Sequence, residues 1–431
     1  MNYSEFNNRL FSFIDQSPTP FHAIKNTSIS LEDQGFLHLR ENETWNLEQG
    51  KRYFVSRSGS LIAFSLGSET GCHDGFRIIG THSDSPALKI KPHVKKENGY
   101  ITLGVETYGS PVLAGWFDRP LSLAGNIVIL NKENRLEEVL VDFRKPLLYI
   151  PSLAIHLNRT ANDGITINVQ NQLSPILTQS LDNPQESFFR RLYEMINSSS
   201  PDKPFANISS FDLYCYDPAK SALWGLDQEF INAPRLDNLL SCFVGREAIK
   251  NCPDTVNGLL ICSNHEEVGS RSESGALGSF ASDIFKRIYK DAETRAICLN
   301  NSFLLSLDNA HAHHPLYPEK SDAAHEVQLN GGPVIKLNAN QRYATSAKTA
   351  AIIRCLGSEA GIDIQDFVMR SDMACGSTIG PLTSSRLGIA AADVGAPTWG
   401  MHAIREVTGT RDPGDLYTLV HHFVNRKTLF S

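Results

Sequence analysis

Short runs of consecutive apolar residues, each stopping at a polar cluster, punctuate the chain: Phe76-Arg-Ile-Ile-Gly-Thr81, Gly258 to Ser263, Phe303 to Leu307, Phe367-Val-Met369 and Leu387 to Ala391. Runs of this length without alternation suit strands buried on both faces. Between them lie segments with helical spacing, notably Asp237 through Ile249, which opens on an acidic residue where a helix dipole favours one. Strand, helix, strand alternation predicts an α/β fold: a mixed sheet flanked by helices.

The middle of the chain follows another pattern. Asn126-Ile-Val-Ile-Leu130, the polar turn Asn131-Lys-Glu-Asn134 and Leu136 to Phe143 behind it predict a hairpin. Glu186 to Asn197 carries Phe188, Phe189, Leu192, Tyr193 and Ile196 at helical spacing, so it predicts a helix with one buried face. The expectation is a first domain in two parts, residues 1–91 and 232–431, with a β-rich domain inserted at 92–231. The competing reading makes the insertion an elaborate edge of the same domain.

Composition narrows the function. A chain of 431 residues exceeds what one compact domain usually holds, which supports the division into two. Forty Lys and Arg against 47 Asp and Glu leave a net charge of -7, without the basic excess that a phosphate-backbone binder needs, so nucleic acid is not expected as a partner. No apolar run approaches the ~20 residues that span a bilayer, and no membrane partner is expected. The first residues lack a basic stretch followed by an apolar segment, which predicts a cytoplasmic protein. Eight scattered cysteines without a Cys-x-x-Cys pair read as free, mostly buried thiols.

Polar residues follow the predicted strands repeatedly: His82-Ser-Asp84 after the first, His265-Glu-Glu267 after the second, Asp308 after the third. Open α/β sheets bind ligands beyond the carboxyl ends of their strands. Asp237 follows Pro234-Arg-Leu236, and His402 follows the turn-rich Gly395-Ala-Pro-Thr-Trp-Gly400. Taken singly, each suits a cap or a satisfied polar group. Together, imidazoles and carboxylates without cysteine suit zinc, manganese or cobalt, and a shared carboxylate suits two ions ~3.5–4 Å apart. The adjacent Glu266 and Glu267, if extended, would face opposite ways, one toward metal and one toward protons.

Longer motifs then converge. Ser17-Pro-Thr-Pro-Phe-His-Ala23, Thr81-His-Ser-Asp-Ser-Pro86, Trp116-Phe-Asp-Arg119, Leu121-Ser-Leu-Ala-Gly125, Ile150-Pro-Ser-Leu-Ala-Ile-His-Leu-Asn-Arg159, Pro234-Arg-Leu-Asp-Asn238, His265-Glu-Glu-Val-Gly-Ser270, Gly332-Pro-Val-Ile-Lys336, Asn340-Gln-Arg-Tyr343, Cys375-Gly-Ser-Thr-Ile-Gly380 and Met401-His-Ala-Ile-Arg-Glu406 occur in order. From end to end the chain resembles the aspartyl aminopeptidase family of dizinc metallopeptidases.

That resemblance implies a catalytic domain of the dizinc exopeptidase type with an inserted dimerisation domain. It implies two Zn²⁺ per subunit, replaceable by Mn²⁺ or Co²⁺: one held by His82, Asp237 and Asp308, the other by Asp237, Glu267 and His402. Glu266 would be the general base and Asp84 the carboxylate that fixes the His82 imidazole. His156 would reach the site of a neighbouring subunit to stabilise the tetrahedral intermediate, in a homo-oligomer built from dimers, a dodecamer. Lys336 would meet an acidic first side chain of a peptide with a free N-terminus, with His325 and His311 shaping its pocket.

The chain departs from the family at Ser110-Pro-Val-Leu-Ala114, where a glycine-rich stretch is usual, and at Ser371, where Asn is usual; neither touches an expected ligand. The run Ala310-His-Ala-His-His-Pro315 reads as pocket lining or local packing rather than a metal site, His22 as structural, and Cys375 as a buried thiol without a nucleophile's partners. Two other classes stay open: an aminopeptidase or deacylase of the same architecture acting on neutral residues, and a non-enzymatic shell or cargo, which has no need of a base.

Overall fold

The computed structural model describes residues 2–164, 166–179, 183–199, 205–426 and 428. Packing divides the chain into two compact units: residues 1–84, 221–401 and 405–431 form the first, and 85–220 with 402–404 form the second. The expected cut after residue 91 falls inside the strand Ala87–Glu97, which belongs whole to the second unit.

A nine-stranded sheet organises the first unit, in the order Leu37–His38, Arg52–Arg57, Ser60–Ser65, Gly258–Ser263, Arg77–His82, Phe303–Leu307, Ala390–Gly395, Val334–Leu337 and Gln365–Val368. Its four central strands, from Gly258–Ser263 to Ala390–Gly395, are parallel. Side chains alternate between faces. Ile79, Leu260, Cys262, Leu305 and Ala392 join one core with helices Tyr3–Asp15, Leu236–Lys250 and Asp412–Val424. Ile78, Leu259, Ile261, Leu304 and Ala391 join another with Phe280–Ile288. Burial on both faces is why these strands read as unbroken apolar runs.

Two runs differ: Phe367-Val-Met369 overlaps the edge strand Gln365–Val368, in which only Phe367 is buried, and Leu387 to Ala391 spans two elements. Leu387 closes the helix Ile379–Leu387, Gly388 caps it at φ +70°, and the strand begins only at Ala390. Gly388 in the left-handed region was the stop signal inside that run. The helix Leu236–Lys250 packs closely on the sheet because Gly245 has no side chain; a Cβ there would lie 2.8 Å from Leu260 Cδ1.

The second unit is a seven-stranded antiparallel sheet. Its strand Phe205–Tyr216 pairs with Ala87–Glu97 on one side and Pro120–Asn131 on the other, closing a ring of six strands, with Leu136–Asp142 attached beyond Pro120–Asn131. The predicted hairpin is present. The helix Pro184–Ser199 buries Phe188, Leu192 and Ile196 in this unit's own core and leaves Tyr193 exposed. All eight cysteines are free thiols, five of them buried.

Candidate metal centre

Three adjacent parallel strands deliver the site. His82 is the last residue of its strand, Asp308 follows Leu307, and Ser263 leads into the turn that carries Glu266 and Glu267. Asp237 comes from the start of the helix on one face. That helix does not begin regularly: Asp237 and Asn238 have non-helical backbone angles across a cis peptide bond. Asp237 thus stands in the helix's first turn, as the spacing predicted, but on irregular backbone. Its backbone N–H donates to Glu406 Oε2 at 2.9 Å, and the Asn238 side-chain Nδ2 donates to Leu307 O at 2.8 Å, tying the turn to the strand that delivers Asp308.

The nitrogen His82 Nε2 lies 3.3 Å from Asp237 Oδ1 and 3.6 Å from Asp308 Oδ1. Two ligand sets, His82 with Asp237 and Asp308, and His82 with Glu266 and Glu267, each place their donor atoms within 4.8 Å of one another. Glu266 and Glu267 are not extended: residues 266–268 form a single 3₁₀ turn entered through His265 at φ +62°. Curvature therefore replaces the strand alternation that would have sent the two carboxylates to opposite sides.

Five carboxyl groups, those of Asp84, Asp237, Glu266, Glu267 and Asp308, surround one imidazole, and the proton affinities register the crowding. Burial pushes the Glu266 carboxyl up to about 8; His82 opposes that shift, and Asp308, Asp84 and Asp237 add to it. Burial, then Asp237, push Glu267 well above the usual carboxylate range. Burial disfavours protonated His82, but Asp237, Asp308 and Asp84 outweigh it and raise that imidazole well above its ordinary value. Such a cluster is short of positive charge, and its donors, one imidazole nitrogen among carboxylate oxygens, suit a divalent cation such as zinc.

Lys336 supplies one cation to the cluster. It is 2% exposed, with Nζ 3.2 Å from Asp308 Oδ2 and 3.0 Å from Asn309 O, over the Tyr343 ring at 5.0 Å. The ammonium expected to greet a substrate is thus engaged by Asp308. His311 and His325 do share a pocket, of about 250 Å³, with Lys320, Arg370, Phe367 and Trp399. His313 and His314 line it too, as pocket residues, and His22 is buried with Nδ1 2.8 Å from Thr19 Oγ1.

His156 and His402 belong to the second unit. His156 is exposed in the stretch before residue 160, and His402 Nδ1 lies 3.2 Å from Ser110 O.

Among known proteins, the model of the aminopeptidase I zinc metalloprotease family (M18) matches residues 13–424. The chain belongs to the M18 zinc aminopeptidase family. It is 44% identical over 422 residues to a probable M18 family aminopeptidase 2 of Ectopseudomonas mendocina, covering 97% of this chain and 98% of that one. Among solved structures, a chain of the cryo-EM structure of the Ape4 and Nbr1 complex superposes with a TM-score of 0.94 at 34% identity, over 98% of this chain and 86% of that chain. The S. cerevesiae mApe1 dodecamer gives 0.83 at 25% identity, over 98% and 97%. As an M18 enzyme the chain is a zinc-dependent aminopeptidase with the dizinc exopeptidase fold that its motifs implied.

Sequence reasoning passed over Glu406 and Asn238. Both lie inside quoted motifs, Met401 to Glu406 and Pro234 to Asn238, but their work is to hold backbone, which side-chain chemistry alone does not announce.

Proposed function

We propose that the chain removes the N-terminal residue, Asp or Glu by preference, from peptides at a pair of divalent cations. His82, Asp237 and Asp308 hold one ion; Asp237, Glu267 and His402 hold the other, with Asp237 shared, and Zn²⁺ can be replaced by Mn²⁺ or Co²⁺. Bound there, such ions supply Lewis acidity toward the scissile carbonyl and lower the pKa of water.

The chain's own residues do the rest. Glu266 takes the proton from the attacking water and delivers it to the leaving amine, a two-way task suited to a carboxyl that burial lifts toward neutrality. Asp84 holds this corner of the site in place. His156 of a neighbouring copy hydrogen-bonds the developing oxyanion. An assembly supports that role: Leu153, Ile155 and Leu157, which flank His156, are all exposed, and one related structure is a dodecamer. We read this cytoplasmic chain as the subunit of such a homo-oligomer, with residues 85–220 as the dimerising part.

The observation that carries the proposal is the convergence of His82, Asp237 and Asp308 in one ligand sphere with Glu266 beside it. Acidic preference rests on the pocket of His311 and His325, where Lys320 and Arg370 add positive charge, while Lys336 is held on Asp308. Preference for neutral, Leu-like residues is the second reading, favoured by Phe367, Met369, Met373 and Trp399 in the same lining.

Hydrolysis of Asp-, Glu-, Leu- and Ala-p-nitroanilides with added Zn²⁺, Mn²⁺ or Co²⁺ tests this. Turnover of Asp and Glu only, abolished by chelator and reduced about 10²–10⁴-fold by Glu266→Gln with two ions retained per chain, is the expected result. Turnover of Leu or Ala instead selects the second reading, and a Glu266→Gln variant of full activity removes the base.

A further inference from the structure

Asp84 lies two residues beyond His82 and is fully buried, yet its carboxylate does not make its shortest contacts to the imidazole. His82 Nδ1 sits 3.1 Å from the Asp84 backbone carbonyl and 3.6 Å from Asp84 Oδ1. The two carboxylate oxygens accept instead from two successive backbone amides: Oδ1 from Glu266 N–H and Oδ2 from Glu267 N–H, both at 3.1 Å.

Those amides open the 3₁₀ turn of residues 266–268, where the first N–H groups of a helical segment have no partner within it. An ionised carboxylate matches two parallel donors, and bonds to an ionised acceptor are roughly twice as strong as neutral ones. Within the turn, Gly269 N–H donates to Glu266 O at 2.9 Å and Ser270 N–H to His265 O at 2.7 Å, which closes the curve and leaves the Glu266 and Glu267 N–H groups to the Asp84 carboxylate. The imidazole, by contrast, has an acceptor that no side-chain change at position 84 removes, and the His82 backbone carbonyl accepts from Cys242 Sγ at 2.9 Å.

We propose that Asp84 is a positioning residue for the Glu266–Glu267 turn, setting where both carboxylates stand, and that the His82 ring is oriented by the Asp84 main chain. The inference rests on the reading of Glu266 as base and Glu267 as ligand. It separates two effects that a carboxylate acting on His82 would join: placement of the turn and affinity of the His82 ligand set. Asparagine at 84 offers one acceptor oxygen to the two amides and sets an NH₂ against the other N–H.

The test is Asp84→Asn in the zinc-loaded full chain, with amide hydrogen exchange at Glu266 and Glu267, zinc affinity by chelator competition, and kcat and KM each measured. The expected result is exchange at the two amides about tenfold faster or more and zinc affinity at the His82 set within about threefold of the parent. With these, kcat falls about 10–100-fold at a KM changed little, the range for residues that act through another. Zinc affinity reduced tenfold or more while both amides exchange as in the parent overturns the proposal and returns Asp84 to His82. If Asp84→Asn does not fold, Asp84→Glu, which keeps the charge and shifts it by one methylene, is read by the same amides with the same two outcomes. Should Glu266→Gln prove active, the base assignment falls while the exchange result still decides what Asp84 holds.

Discussion

Replacing Lys336 by methionine probes how the cluster is balanced. The ammonium and the Asp308 carboxylate are 3% and 10% exposed as side chains and lie 3.2 Å apart, so neither has water to fall back on. Methionine fills a similar volume and removes the charge. Breaking one side of a buried pair costs about 3–5 kcal/mol, because the survivor is left uncompensated. Taking the lower figure, and about 2 °C per kcal/mol for a large domain, the metal-free variant melts about 6 °C below its parent. With zinc held as proposed, Asp308 gains another counter-charge, so the deficit shrinks in the loaded protein. Differential scanning fluorimetry with and without zinc reads both numbers. On the proposed ligand set Asp308 serves every substrate alike, so turnover of all four anilides falls together and the Asp-to-Leu ratio holds. An unchanged melting temperature with selective loss on Asp and Glu would refute this reasoning and give Lys336 to the substrate.

Three further outcomes follow from the same geometry. Burial raises Glu266 to about 8 and Asp412 to about 7 in the folded chain. Raised carboxyls bind protons more tightly folded than unfolded, so their contribution is complete below about pH 4 and is lost as pH climbs through 7 to 8. The metal-free protein therefore melts at falling temperature from pH 5 to 8, less steeply in Asp412→Asn; a rise over that window would contradict the assignment. Phe243, fully buried and 5.0 Å from the Phe6 ring, costs about 3–5 kcal/mol as Phe243→Ala, measured by urea unfolding. Gly125 faces Leu213 across paired strands, and a Cβ would fall inside the Asp212 carbonyl. Gly125→Ala thus opens the second unit to limited proteolysis at protease levels that leave the parent intact.

Much of the first unit was legible because its central strands are buried on both faces: Gly258–Ser263 and Phe303–Leu307 match their apolar runs end to end. The residues after those strands were legible as chemistry because the parallel arrangement gathers strand ends. Curvature and long-range pairing were not legible. Nothing local distinguishes an extended Glu266-Glu267 from a 3₁₀ turn, since the deciding acceptor, Asp84, lies far away in sequence. The resemblance gives Lys336 to an acidic substrate side chain, and its sequence neighbours say nothing of Asp308, which reaches it across the fold. The helix Pro184–Ser199 was clear from its own periodicity, whereas closure of the six-strand ring depends on Phe205–Tyr216 finding Pro120–Asn131.

The interleaving of the first unit also sets an order of birth. Arg77–His82 is flanked in the sheet by Gly258–Ser263 and Phe303–Leu307, both of which leave the ribosome much later. At about 5–20 residues per second, His82 waits roughly 10–45 s for the strand that brings Asp308. The ring of the second unit is complete by Tyr216, within that interval. On a nascent chain the β-rich unit can therefore mature while the strand that ends in His82 still has bare edges, the stage at which chaperone cover matters most.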